Sequence, residues 1–245
     1  MDSLLIHERY KVVRALRVQP DYALLEAVDI ADRETPSRLL NLYEGEQLHR
    51  YARICTDIRK EECPAFREMF LENGTLVVVF DGGAGTRINE LFYRGDAWEF
   101  RQRLFFAGLV LHHALGFTNL PPEIGCAAML SENLLIDLTN EKVRSRFMLV
   151  PMKEMNAREL VLLASDQVKK ILPRTLAAGE KECAFLDALD CGTFCTMVQL
   201  YAYWREMEGA IREEREEFES KMVIRRGLIM LGRAIRRAVK REGRT

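Results

Sequence analysis

The sequence predicts an α+β protein in which a small antiparallel sheet with one inserted helix precedes a mostly helical second half. Three observations carry that prediction. Short apolar runs separated by turn residues fill the chain as far as Phe80, one long apolar helix pattern occupies residues 98–117, and the composition is helical from Asn156 onward.

The elements follow in order. Residues 10–18 (YKVVRALRV) and 22–30 (YALLEAVDI) are apolar runs separated by Gln19-Pro20-Asp21, a turn signal. A third run, residues 38–43 (RLLNLY), follows Thr35-Pro36-Ser37. Gly45 then opens a polar stretch, 46–60, in which Leu48, Tyr51, Ala52 and Cys55 recur at helical spacing. Strand character returns at 66–71, and Glu72-Asn73-Gly74 is a hairpin signal ahead of 75–80 (TLVVVF), the clearest strand in the chain. After Asp81-Gly82-Gly83-Ala84-Gly85 comes the long buried helix, which ends near Gly116. Leu120-Pro121-Pro122 breaks the chain, and residues 125–131 read as a loop. Two strands, 134–137 and 142–150, flank a turn at 138–141. The division is residues 1–82 as a sheet lobe, 83–205 as a helical lobe, and 206–245 as a charged amphipathic helix.

Composition narrows the class. An apolar share of 48% beside 30% charged residues is that of a globular chain, and 245 residues suffice for one large domain or two modest lobes. A net charge of −1 gives no global reason to expect a polyanion partner. None of the six cysteines (55, 63, 126, 183, 191 and 195) has the C-x-x-C spacing of zinc or thiol redox sites. With no secretory pattern at the N-terminus, the expectation is mostly buried, reduced thiols in a cytoplasmic compartment. No run approaches the ~20 apolar residues of a spanning helix, since the most apolar stretch, 104–111, meets His112 and His113 at once.

Ser131-Glu132-Asn133-Leu134-Leu135-Ile136-Asp137 resembles the end of the protein kinase catalytic loop, where Pro-Glu-Asn precedes three apolar residues and often Asp. The Pro121-Pro122 break before it and the strand, hinge and helix of residues 77–91 agree with that resemblance, which covers roughly residues 8–150. It implies a protein kinase-like two-lobe fold, with a small antiparallel-sheet N-lobe, a mostly helical, reduced C-lobe and a long C-terminal helix.

Residue by residue, the resemblance implies no kinase chemistry. Phosphoryl transfer needs a glycine loop over the phosphates, a lysine on them, a base for the hydroxyl and an aspartate on magnesium. Here the first turn is Gln19-Pro20-Asp21, without glycine. Asn41 stands where the family keeps lysine (Leu40 or Leu42 if the register slips), and Ala128 stands where it keeps the catalytic aspartate. In place of Asp-Phe-Gly the chain has Ser145-Arg146-Phe147-Met148-Leu149. Asn133 alone survives as a candidate cofactor contact. One amide oxygen is a poor site for a divalent ion, so neither metal nor nucleotide cofactor is expected, and a structural role in its turn is favoured.

Other candidates carry less chemistry. Gly82-Gly83-Ala84-Gly85 lies between a strand and a helix, but Ile88 occupies the last glycine of a G-x-G-x-x-G pattern, and the kinase resemblance implies that the run is a flexible hinge connection. His112 and His113 fall about 100° apart on their helix, one at the core boundary and one toward a polar surface. His7 and His49 have no metal-ligand pattern around them, and no G-x-S-x-G elbow signals a serine nucleophile.

The C-terminus is the other informative region. Residues 206–219 are strongly acidic and 221–245 strongly basic. Ile224, Leu228, Leu231, Ile235 and Val239 form an apolar stripe among Arg225, Arg226, Arg233, Arg236, Arg237, Lys240 and Arg241. Such a helix packs on its own lobe, docks on a protein partner or lies on an anionic membrane. Nucleic acid is disfavoured, because no aromatics interleave the cations.

The expected function is a catalytically inactive pseudokinase, not an enzyme, acting as a scaffold or regulatory protein-binding module with a possible peripheral contact at a membrane surface. The alternatives are a nucleotide-dependent transferase using residues these motifs do not reveal, and a helical adaptor whose kinase likeness is accidental.

Overall fold

A computed structural model describes residues 4–242, with side-chain environments through residue 235. The first lobe is built on a six-stranded antiparallel sheet. Its strands are β1 (Leu5–Ile6), β2 (Tyr10–Val18), β3 (Tyr22–Asp29), β4 (Ser37–Tyr43), β5 (Phe66–Glu72) and β6 (Thr75–Asp81), in the spatial order β1-β2-β3-β4-β6-β5. Helix α1 (Gly45–Thr56) crosses between β4 and β5. Asn73 and Gly74 take φ of 50° and 82°, the left-handed pair that a tight β5–β6 hairpin needs.

Past the hinge, β7 (Thr86–Arg87) and α2 (Ile88–Leu91) lead to α3 (Phe100–Leu115) and α4 (Pro122–Ala128). The pair β8 (Leu134–Asp137) and β9 (Lys142–Ser145) joins β7 in a second, three-stranded sheet. Helices α5 (Ala157–Ile171), α6 (Glu180–Asp190), α7 (Met197–Ser220) and α8 (Val223–Glu242) complete the chain. Sheet lobe, hinge and helical lobe follow the order implied by the kinase resemblance.

Three expectations are corrected. Residues 125–131 are not all loop: Pro122 opens α4, whose residues Ile124 to Ala128 are all buried. Proline suits a first helical turn, where its missing N–H costs nothing. The strand expected at 142–150 stops at Ser145, and residues 146–150 leave the sheet to be held by side chains of both lobes. The charged C-terminal segment is not one helix either. α7 begins at Met197 and runs through residue 206 to Ser220, burying Trp204, Ile211 and Phe218 in the second lobe, and the chain turns at Lys221 before α8. Among the cysteines, Cys55, Cys63 and Cys126 are buried as expected, whereas Cys191 and Cys195 are exposed.

One apolar core serves both lobes. It runs from Tyr43, Tyr51 and Phe80 through Phe147 to Leu111, Leu134 and Trp204. A smaller cluster, including Tyr10, Leu25, Leu40 and Val79, covers the opposite sheet face.

At the hinge end of the sheet a charge ladder ties the strands together. Arg9 grips Asp29 with two hydrogen bonds of 2.8 and 2.7 Å, Arg67 grips Asp81 with two of 2.6 and 2.7 Å, and buried Arg38 lies between them. Arg38 pairs with Asp29 at 3.4 Å, with Asp81 at 3.2 Å, and with Asp32. The Arg9 guanidinium, with smaller help from the Ala31 N–H and Arg38, holds the Asp29 carboxyl below the usual range against the cost of its burial.

Candidate interlobe site

The hinge places the edge of the first sheet above the second. Gly82 donates its N–H to the Ser37 carbonyl at 3.0 Å and packs so closely that an added Cβ would meet Ser37 Oγ at 2.0 Å. Gly83 and Gly85 have φ of +68° and +142° and rest on Leu135, Ile136 and Arg146. The glycine run is thus a connector pressed onto β8.

Below it lies a cleft of about 560 Å³, lined by Arg14, Leu16, Arg17 and Leu24 from the first lobe and by Arg87, Glu90, Glu132, Leu135, Arg146 and Met148 from the second. In active kinases the phosphates lie under the glycine loop, beside the third-strand lysine and the metal-binding Asp and Asn. Here the covering loop is the short Gln19-Pro20-Asp21 turn, closed by the Gln19 N–H donating to the Tyr22 carbonyl at 2.9 Å.

Asn41 and Asn133, the residues singled out from the motifs, are both fully buried, and both grip one segment of backbone. From β4, Asn41 donates Nδ2 to the Phe147 carbonyl at 3.0 Å, and its Oδ1 accepts from the Leu149 N–H at 2.8 Å. From the other lobe, Asn133 donates Nδ2 to the Ala127 and Met148 carbonyls at 2.7 and 3.1 Å, and its Oδ1 accepts from the Met148 N–H at 3.3 Å. Tyr43 Oη donates to the Leu149 carbonyl at 2.6 Å, and Tyr51 Oη from α1 donates to the Val150 carbonyl at 3.3 Å. Burial drives the Tyr43 phenol well above its ordinary pKa and the Tyr51 phenol up to about 12, so both remain donors. These two amides therefore satisfy the backbone of residues 147–149.

Arg146 precedes Phe147 in the stretch that the resemblance sets against Asp-Phe-Gly. Arg146 reaches across to Glu26 of β3 at 2.6 Å, and Glu26 also pairs with Arg14 at 2.8 Å. Ala128 is fully buried, and its carbonyl accepts from Ser145 Oγ at 2.9 Å. Ser145 lies 2.9 Å from His113 Nε2. Because the serine hydrogen goes to Ala128, His113 donates to Ser145 rather than activating it. Burial, with smaller repulsion from His112, lowers the His113 pKa to about 4, so the ring is neutral. His112 is exposed on the other face. Among the described residues, no group of three or more His, Cys, Asp or Glu side chains is placed to hold a metal ion.

The α8 residues divide. Arg233 turns inward, donating to the Ala177 carbonyl at 2.8 Å and stacking over Phe218 at 5.4 Å, which corrects the expectation of a cation free for a partner. Ile224, Leu228, Leu231 and Ile235 face outward, with Leu228 66% exposed. Arg225 is exposed and Arg226 half-buried, while the side chains of Arg236, Arg237 and Lys240 lie outside the described residues. No described helix is long and apolar enough to cross a membrane.

Sequence reasoning missed the cross-lobe hydrogen bonds, Arg146 as a lining residue and the half-turned Arg233. The signals available were the arginine in the Asp-Phe-Gly stretch and the asparagine in the third strand.

No family model and no curated protein matches the sequence. Among solved structures the chain is similar to the PknI kinase domain of Mycobacterium tuberculosis, solved as a double mutant. The TM-score is 0.52 at 12% identity, over 88% of this chain and 99% of that one. The fold is therefore that of a protein kinase domain, a curled antiparallel-sheet lobe joined to a helical lobe.

Proposed function

We propose that this chain uses the kinase-like fold as a non-catalytic binding module, a pseudokinase that docks a protein partner through α8. The observation that carries the reading is the cross-lobe staple. The side chains at the lysine and metal-ligand positions spend their hydrogen bonds on residues 147–149, and a guanidinium replaces the metal-binding carboxylate. A cation beside Arg146 meets repulsion where kinases provide attraction. Losing one transition-state contact commonly costs ~3 kcal/mol, and here the lysine, base and metal carboxylate are all replaced.

Thermal denaturation with nucleotide tests this. ATP is expected to give no magnesium-dependent rise in Tm, because a ligand stabilises only in proportion to its binding to the folded state. A rise that requires both ATP and magnesium would overturn the reading in favour of a nucleotide-dependent transferase.

The docking surface is the outward stripe of Leu228, Leu231 and Ile235 flanked by Arg225 and Arg226, with Arg236, Arg237 and Lys240 further along the helix. Arg233 anchors the helix and leaves the stripe displayed. Apolar side chains at this spacing fit a hydrophobic groove of another protein. L228D combined with L231D is expected to abolish partner capture from the native host while leaving Tm unchanged, since both side chains face solvent. Undiminished capture by that variant would reject the surface. Loss of sedimentation with phosphatidylserine vesicles, at unchanged protein capture, would assign the stripe to a membrane instead.

A further inference from the structure

A second cavity, of about 650 Å³, lies in the helical lobe away from the interlobe cleft. Its apolar lining is Phe92, Trp98, Phe100, Leu172 and Pro173. Cations accompany these residues: Arg94, Arg103, Lys169, Lys170, Arg174 and Arg215, with Glu182 as the single acid in the lining.

The cations are not equivalent. Arg103 is occupied by Asp96 and the Ile171 carbonyl, Lys169 by Asp166 and Asp190, and Arg174 by Asp187 and Asp190. Among the described residues, Lys170 hydrogen-bonds only the neutral Ser131 and Gln167. Lys170 is exposed at the cavity edge, where partial burial lowers its pKa against the opposing pull of Asp166. Arg215 spends Nε on Glu219 at 2.7 Å and lies 4.6 Å over the Phe100 ring, which leaves a buried Nη1 without a hydrogen-bond partner among the described residues. Glu182 is 3% exposed. Its carboxyl is pushed up to about 7, chiefly by burial, against the opposing pull of Arg215.

A buried, unpartnered N–H of Arg215 thus lines a ring-walled cavity with the exposed ammonium of Lys170 at its edge. A buried donor without an acceptor calls for an acceptor, and a lining of six cations and one acid favours an anionic one. The size falls within the ~300–1,000 Å³ of small-molecule sites, and flat rings complement aromatic walls. We infer that this cavity binds a small flat apolar molecule bearing one anionic group, carboxylate or phosphate, with the ring against the apolar lining and the anion toward Lys170 and Arg215.

The experiment is a fluorescence titration, because Trp98 lines the cavity whereas Trp204, the other tryptophan, is buried in the core. 2-Naphthoate and 1-naphthyl phosphate serve as probes and distinguish the two anions, and 1-naphthylmethylamine is the cationic control. A saturable signal is expected with at least one anion and not with the amine. K170Q, whose side chain lies at the cavity edge, should weaken binding about tenfold, the size of one charge-assisted contact, with Tm unchanged. W98F should remove the signal while calorimetry still detects the ligand. Equal response to the amine, no saturation by either anion, or an affinity indifferent to K170Q would each overturn the assignment.

Discussion

Replacing Arg38 with methionine is expected to destabilise the fold by about 3 kcal/mol, as read from the urea midpoint at unchanged m-value. The methylene stem of Arg38 is replaced nearly in kind, so the loss is electrostatic. Asp29 has no accessible side-chain surface, and Asp32 and Asp81 are each about two-thirds or more shielded. Removing the central cation leaves these carboxylates facing one another. Arg9 and Arg67 still hold Asp29 and Asp81, which places the cost at the lower end of the ~3–5 kcal/mol seen when a buried pair is broken. Lysine at position 38 should recover only part of the loss, because it keeps the charge without the planar fork that reaches several carboxylates together. A loss under ~1 kcal/mol would mean that the ladder behaves as an ordinary surface network.

The second large effect concerns pH. Glu182 is buried and His113 half-buried, and each prefers its neutral form. The Glu182 pKa is raised from 4.5 to about 7 by burial, so the unfolded chain loses this proton before the folded one. Its contribution is fully present below pH 4.5 and is lost as pH rises toward 7. The His113 pKa is lowered from 6.5 to about 4, so the unfolded chain gains this proton first on acidification. Its contribution is present above pH 6.5 and is lost as pH falls toward 4. Each effect is worth about 3 kcal/mol across its window, and over the shared range the two slopes oppose each other. The expected stability profile between pH 4.5 and 6.5 is therefore nearly flat for this pair. E182Q should unmask stability that rises with pH there, and H113Q stability that falls. Parallel profiles for the parent and both variants would show that neither group titrates abnormally in the fold.

Much of the first lobe and the long helix after the hinge were legible because their signals are local. The strands at 10–18 and 75–80, the Asn73-Gly74 hairpin and the long helix ending near Gly116 all emerged from spacing and turn chemistry. The catalytic-loop likeness located Asn133 for the same reason. What stayed hidden depends on contacts between distant residues. Nothing in RLLNLY says that Asn41 will meet the backbone of Phe147 and Leu149, and residues 146–150 kept strand-like composition while pairing with side chains instead of a strand. α4 was obscured because its small residues, Gly125 to Ala128, read as loop until burial against Phe117 and Leu160 favours a helix. The break at Lys221 lies between acidic and basic helical patterns, and periodicity alone does not separate two helices that abut.

The stapled segment has a consequence for how the molecule comes apart. Met148 and Leu149 surrender their amide protons to asparagines from opposite lobes, and Phe147 stacks 4.9 Å from Phe80 beneath them. Separating the lobes means breaking those bonds and uncovering the shared core in the same act, so neither half has a private route to disorder. Hydrogen exchange at these two amides is then governed by the opening of the whole protein, and the hinge ceases to be a joint.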